Sequence, residues 1–248
     1  MNIRFSALLG ITLTSLMVIL AVFAPLIAPY PMEAIIGGVW EDPSNAHWLG
    51  TDMIGRDILS RLLYGGQITM LVALGASLIA FTLGSFFGLL TAVRGGWIDN
   101  VLSRIVDLMM AIPTLIVALV LLSILPLNLW VLIVVIGVLD STRVFRLSRA
   151  VAMDIAVMDY VEAAKLRGER QNWIIFREIL PNALTPIIAE FGLRFIYAIL
   201  FISTLSFLGL GVQAPFADWG GMIRENKDGL VYGEIAALVP AGAIALLA

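Results

Sequence analysis

Cysteine is absent from the chain, and histidine occurs once, at His47. Without thiols there is neither a disulfide framework nor a thiolate metal site, and one imidazole does not build a metal site alone. Charge is scarce as well: Asp, Glu, Lys and Arg make up 13% of 248 residues, against 60% hydrophobic ones. No Gly-x-x-x-x-Gly-Lys-Ser/Thr loop occurs, so the chain does not bind ATP in the P-loop manner. A single histidine also leaves no Ser/His/Asp arrangement or metal cluster on which to found a membrane enzyme. What remains is long apolar runs. A mean hydropathy of +1.00 describes a polytopic membrane protein rather than a soluble domain. The net charge of −3 decides little, because the placement of charge governs such a chain more than its sum.

Phe5 to Met32 carries no charged residue and holds a first span that closes near Pro25, Pro29 and Pro31. Only Arg4 precedes it and no small-residue cleavage site stands out, so it reads as a retained span. Leu62 to Val93 is uncharged and holds the second. Within it Ala76, Ala80, Gly84, Gly88 and Ala92 recur every four residues, a stripe that lets a neighbouring helix approach closely. Asp107 and Asp140 enclose 32 uncharged residues, too many for one helix across a hydrocarbon layer of about 30 Å. Pro126 and Asn128 mark a break there, which favours a third and a fourth span. The two acids then lie near membrane ends, where Arg104 and Arg143 are close enough to pair with them. Arg143, Arg146 and Arg149 form a basic stripe suited to lipid headgroups.

A fifth span runs from about Leu184 to Val212, with Glu190 and Arg194 one turn apart in the favoured order. The last run, Ile235 to Ala248, gives about 21 Å of helix, short of a full crossing, and is expected to continue beyond Ala248. With six spans, Arg4, Arg94, Arg104, Arg143, Arg146, Arg149, Lys165, Arg167, Arg170 and Arg177 share one side. Arg56, Arg61, Arg224 and Lys227 share the other. Ten cations against four place the N-terminus and the polar stretch 154–181 in the cytoplasm.

Two polar stretches interrupt the apolar runs. In the first, 47–65, Ile58, Leu59, Leu62 and Leu63 lie on one face of a short amphipathic helix, with Asp57 one turn before Arg61. The second, 154–181, reads as helix, turn, helix. Asp154 or Asp159 serves as a cap, Gly168 supplies the turn, and Pro181 ends the second helix. Ala163 and Ala164 leave the backbone open to another protein's surface, and Glu162 offers it a fixed negative charge.

Glu162-Ala-Ala-Lys-Leu-Arg-Gly168 followed by Leu180-Pro181 resembles the Glu-Ala-Ala loop of permeases in ATP-binding-cassette (ABC) importers. Glu178 stands where that pattern usually has isoleucine, and the variant looks like the dipeptide/oligopeptide (peptide/nickel) branch and its C-type permease. Gly50-Thr-Asp52, Gly55-Arg-Asp57 and Ser60-Arg61 resemble a second segment of the same branch, and Pro215-Phe-Ala-Asp-Trp-Gly220 resembles its outer loop. The resemblance runs over nearly the whole chain from Phe5 onward.

It implies a single transmembrane permease domain over 1–248: an all-α bundle of six transmembrane helices with a cytoplasmic coupling loop. It further implies that Glu162, Ala163, Ala164, Gly168, Leu180 and Pro181 serve coupling to ATPases. Asp52, Arg56, Asp57, Arg61, Asp218 and Trp219 would then serve the face that meets a binding protein. Expected partners are a second homologous permease, two cytoplasmic ATPases that carry the ATP and Mg, an extracytoplasmic solute-binding protein and the bilayer of a prokaryotic inner membrane. No nucleic acid and no cofactor in this chain are expected. The cargo class extends over dipeptides, oligopeptides, nickel chelates and glycosides. A secondary transporter or channel working without an ATPase is the alternative, and it calls for ion-coupling acids or an internal repeat.

Overall fold

The computed structural model describes residues 5–248, so Arg4 and the side of the membrane taken by the N-terminus lie outside the described residues. Helices dominate, and the β pairing among the described residues is limited to two isolated bridges, Ile35 with Arg56 and Thr51 with Asp57. In chain order the helices are α1 (Phe5–Val22), α2 (Ala24–Ile27), α3 (Ile58–Arg94), α4 (Gly96–Ala111), α5 (Thr114–Ile124) and α6 (Leu129–Ala156). They continue with α7 (Asp159–Leu166), α8 (Gln171–Trp173), α9 (Leu180–Phe207), α10 (Trp219–Asn226) and α11 (Leu238–Leu247). A π-helical turn, Ile174–Ile179, joins α8 to α9.

By length and composition, the two helices Ile58–Arg94 and Gln171–Phe207 are long and apolar enough to cross a membrane. The pair α4 and α5 makes a third candidate, bent by 86°. The break at Pro126 occurs as expected, and Asn128 caps α6 there by accepting the Val131 amide at 2.9 Å. A second break, at Ile112-Pro113, was not expected. Proline removes a donor and crowds the preceding turn, and here the chain turns sharply where it sits.

The chain divides into two compact units. The first takes in the chain up to Ala73 together with Leu125–Leu132 and Ile196–Ala248. In it, Asp57 starts α3 as an N-cap, its Oδ2 accepting both the amide and the hydroxyl of Ser60 at 2.7 Å. Asp57 is thus occupied as a cap rather than paired with Arg61.

The second unit takes in Leu74–Ile124 and Ile133–Phe195. Its helices α3 and α6 approach at small residues. A Cβ added to Gly84 would lie 2.6 Å from Val144 Cβ, and one on Gly88 2.9 Å from the Arg149 amide nitrogen. Ala76 and Ala80 are buried in the same stripe, whereas Ala92 is only partly covered. Arg149 grips Asp99 with two hydrogen bonds of 2.5 and 2.6 Å, so it is held by this chain rather than turned to headgroups. Asp140 lies 3.9 Å from Arg143, as expected, and 3.7 Å from Arg194. Asp107 makes no ion pair within 4 Å among the described residues.

Candidate functional site

The stretch 154–181 folds as a small structure with its own core. Helix α7 begins after Met158, whose extended backbone (ψ 145°) makes it the N-cap without a side-chain bond. Neither Asp154 nor Asp159 caps it: Asp159 is the first helical residue and sits in the first turn with Glu162, where acids favour the helix dipole. The helix ends in a Schellman motif. The Gly168 amide donates to the Lys165 carbonyl at 3.0 Å and the Glu169 amide to the Ala164 carbonyl at 3.2 Å. Gly168 takes φ +80°, a conformation that side chains resist. Lys165 Nζ reaches back to the Ala156 carbonyl at 3.0 Å and ties α7 to the end of α6.

Alternate residues of α7 part company. Val161 and Ala164 are fully buried in a cluster with Ala156, Ile174, Ile175, Ile179 and Ala183. Glu162 and Ala163 are exposed, and Leu166 is 86% exposed. The sequence reading put both alanines on the open face. The structure leaves Ala163 there and uses Ala164 inside, buried in the cluster with the isoleucines.

Beyond Gly168 the chain does not stop at Pro181. It runs as one helix from Gln171 to Phe207. Proline at 181 would clash with a carbonyl four residues back, and the π turn just before it relieves that clash: the Leu180 amide donates to Ile175, five residues back. Leu180 is partly buried and Pro181 exposed at the start of α9.

The second candidate site lies in the first unit. Arg61 Nη1 is 2.6 Å from Asp52 Oδ2 and 2.6 Å from Glu225 Oε2, while Arg56 bonds the same two acids at 2.7 and 2.6 Å. Burial opposes the charge on Asp52, but the amides of Arg56 and Ile54 and the guanidiniums of Arg61 and Arg56 outweigh it. They hold the carboxyl below its usual range.

Asp218 caps α10 by accepting the amides of Gly220 and Gly221 at 3.1 and 3.3 Å. Burial pushes its carboxyl up to about 6 against the bonds from Ser206, Gly221 and Gly220, and the charge of Glu225 adds to the rise. Trp219 is buried with its Nε1 donating to the Leu62 carbonyl at 2.9 Å, and its ring fits over Gly66, where a Cβ would be 2.9 Å from Cζ2. Asn226 Oδ1 accepts from Trp40 Nε1 and from the Met53 amide.

The family described as the binding-protein-dependent transport system inner membrane component matches residues 80–248. The chain belongs to this family. It is 34% identical over 97% of its length to the dipeptide transport system permease protein of Alkalihalophilus pseudofirmus, covering 80% of that protein. It is 31% identical to the oligopeptide transport system permease protein of Bacillus subtilis, over 97% of this chain and 79% of the relative. It is 37% identical to the probable D,D-dipeptide transport system permease protein of Escherichia coli, over 86% and 72%.

This permease is therefore a non-catalytic membrane subunit of an ABC importer. Its sequence-predicted residues differ in exposure. Glu162 and Ala163 share an open face, whereas Ala164, Asp52, Asp57, Arg61, Asp218 and Trp219 are interior. Arg56 lies between, partly covered. Most residues expected on a docking face are thus turned inward, where they hold segments of this chain together. Glu225 and Asn226 were missed by the sequence reading. Both belong to the helix that Asp218 caps, and a cap followed by a Glu-Asn pair is the signal that could have found them.

Proposed function

We propose that this permease forms half of a translocation pore for short peptides or a similar small solute, beside a second homologous permease. Two cytoplasmic ATPases drive it through α7, and an extracytoplasmic binding protein delivers the cargo to the polypeptide braced by Asp52, Arg61 and Asp218. The observation that carries the reading is the split face of α7: Ala164 locked into the chain's own core, Glu162 and Ala163 left open. A lever must be fixed to its own subunit on one side and free to engage a partner on the other. The relatives named above, dipeptide and oligopeptide permeases, support peptides as the cargo class.

Six crossings with the N-terminus and α7 inside complete the proposal. They consist of α1, α3, the bent α4–α5 pair, α6, α9 and the run holding α11, and the distribution of Arg and Lys, Arg143 set aside, supports that orientation. Single cysteines test it, since the chain has none of its own. Val231, 86% exposed, serves as the outer probe. An impermeant thiol reagent applied outside should label position 231 and leave Glu169→Cys untouched. The reverse pattern sinks the topology. For coupling, an ATPase should copurify with the complete chain in mild detergent. A permease that transports with no ATPase bound would rule out the reading.

A further inference from the structure

Helix α6 carries charge at mid-length, and a charged turn of α9 faces it. With 28 residues in α6, Arg143 lies about 20 Å from either of its ends at 1.5 Å per residue, and Arg194 lies about 20 Å from the Phe207 end of its helix. That depth falls inside a hydrocarbon layer about 30 Å thick. Arg194 Nε donates to Glu190 at 2.6 Å, and its Nη1 stands 3.7 Å from Asp140; Arg143 stands 3.9 Å from the same Asp140 oxygen. Two cations and two anions leave the cluster neutral.

Its members are not equivalent. The side chains of Asp140, Glu190 and Arg194 are 13–15% exposed, but that of Arg143 is 43% exposed. At 3.9 Å its contact with Asp140 is too long for a hydrogen bond. A guanidinium at such depth is costly against acyl chains and normally faces protein or water. Helix side chains lean toward the N-terminus of their helix, and Arg143 leans that way, toward Asp140. This draws its charge away from the α6 end from which a long side chain could snorkel to headgroups.

The other side of α6 is a contrast. Val134, nine residues earlier and so half a turn round, lines with Val138 an apolar cavity of about 490 Å³ beside α4 and α5. Arg143 is also free to change partner. When it leaves Asp140, Arg194 still faces that carboxylate, so no acid is left bare.

We propose that Arg143 faces a water-filled translocation path at mid-membrane and receives the carboxylate of the solute in transit, with Asp140 and Arg194 holding it in place between passages. The proposal rests on reading the chain as half of a pore. An acidic side chain of the neighbouring permease is the rival cover for the same guanidinium.

The test uses the complete importer in proteoliposomes, its other subunits made cysteine-free, with single cysteines at Arg143, Leu147 and Val134. Leu147 is one turn on along the same face and leaves all four charges intact. A charged, water-soluble methanethiosulfonate should modify positions 143 and 147 during ATP turnover and spare 134. In parallel, Arg143→Gln should cut uptake of radiolabelled dialanine by about tenfold or more, the scale of one charged hydrogen bond, and Arg143→Lys should restore most of it.

Protection of both 143 and 147, as a covering acid from the neighbouring subunit would give, overturns the proposal. So does undiminished uptake in Arg143→Gln. If the wild-type importer hydrolyses ATP but carries no dialanine, the peptide reading fails instead, and labelling at 147 still decides whether this face is a path.

Discussion

Arg61 reaches Glu225 across 164 residues of sequence, Nη1 to Oε2 at 2.6 Å, and the same nitrogen holds Asp52 at 2.6 Å. Arg61 is 3% exposed, so Arg61→Leu takes from a buried Asp52 one of its two guanidiniums and leaves Arg56 as the other. Removing one partner of a buried pair costs about 3–5 kcal/mol, against about 0–1 for an exposed one. We expect thermal unfolding of the purified permease to show the larger loss. Arg61→Lys should fall between, because an ammonium lacks the planar fork of a guanidinium.

The stripe on α3 gives a matched pair of tests. Gly84→Leu would drive a side chain into Val144 and the Ser141 carbonyl, and overpacking of this kind costs about 1–3 kcal/mol. Yield of folded permease should drop. Gly192, in the helix α9, has nothing within 4 Å of its missing Cβ. Gly192→Ala should therefore be neutral or gain up to about 1 kcal/mol, as alanine does in helices. Equal yields for the two variants would contradict the packing described here.

Helix α7 separates folding from docking. Ala163→Trp and Glu162→Lys alter the open face, so both should leave the melting temperature unchanged. Each should weaken ATPase retention by about one to two orders of magnitude, since about 1.4 kcal/mol is tenfold. Ala164→Trp should act differently and lower stability first, because Ala164 is wholly buried. Copurification and thermal melts on the same samples read both effects. Normal retention and transport in Ala163→Trp and Glu162→Lys would reduce α7 to a surface loop.

Asp218 predicts a pH dependence. Its carboxyl is raised from 3.8 to about 6 in the folded chain. A raised acid favours the protonated, folded form, so its contribution is complete below about pH 4 and is lost as pH climbs through 6. Two units correspond to about 3 kcal/mol. Melting of wild type should fall between pH 4.5 and 7 relative to Asp218→Asn, which keeps an oxygen for the cap and has no charge to titrate. Parallel pH curves for the two proteins would show that Asp218 contributes nothing.

Composition and motif placement carried much of this architecture. The break before Asn128, the turn at Gly168 and the Glu190–Arg194 pair were all legible, because each depends on residues within one or two turns. The sharp bend at Pro113 was passed over because uninterrupted apolar residues hid it. The direction of Asp52, Arg61 and Trp219 was illegible for another reason. Their partners, Glu225 and the Leu62 carbonyl among them, are fixed only when distant segments meet. Ala163 and Ala164 show the limit most simply. The motif treats them alike, and the 100° between successive helix positions sends one outward and one into the isoleucines.

The wide turn at Ile174–Ile179 has one more effect. A straight helix joining α8 to α9 would behave as a rod that passes on thrust alone. A turn closed by bonds five residues apart holds one residue more than its neighbours, so the two ends stand out of phase. Handing that residue along the helix would twist the coupling segment by about 100° and advance it by about 1.5 Å. Such a segment would turn as it advances, in the manner of a screw.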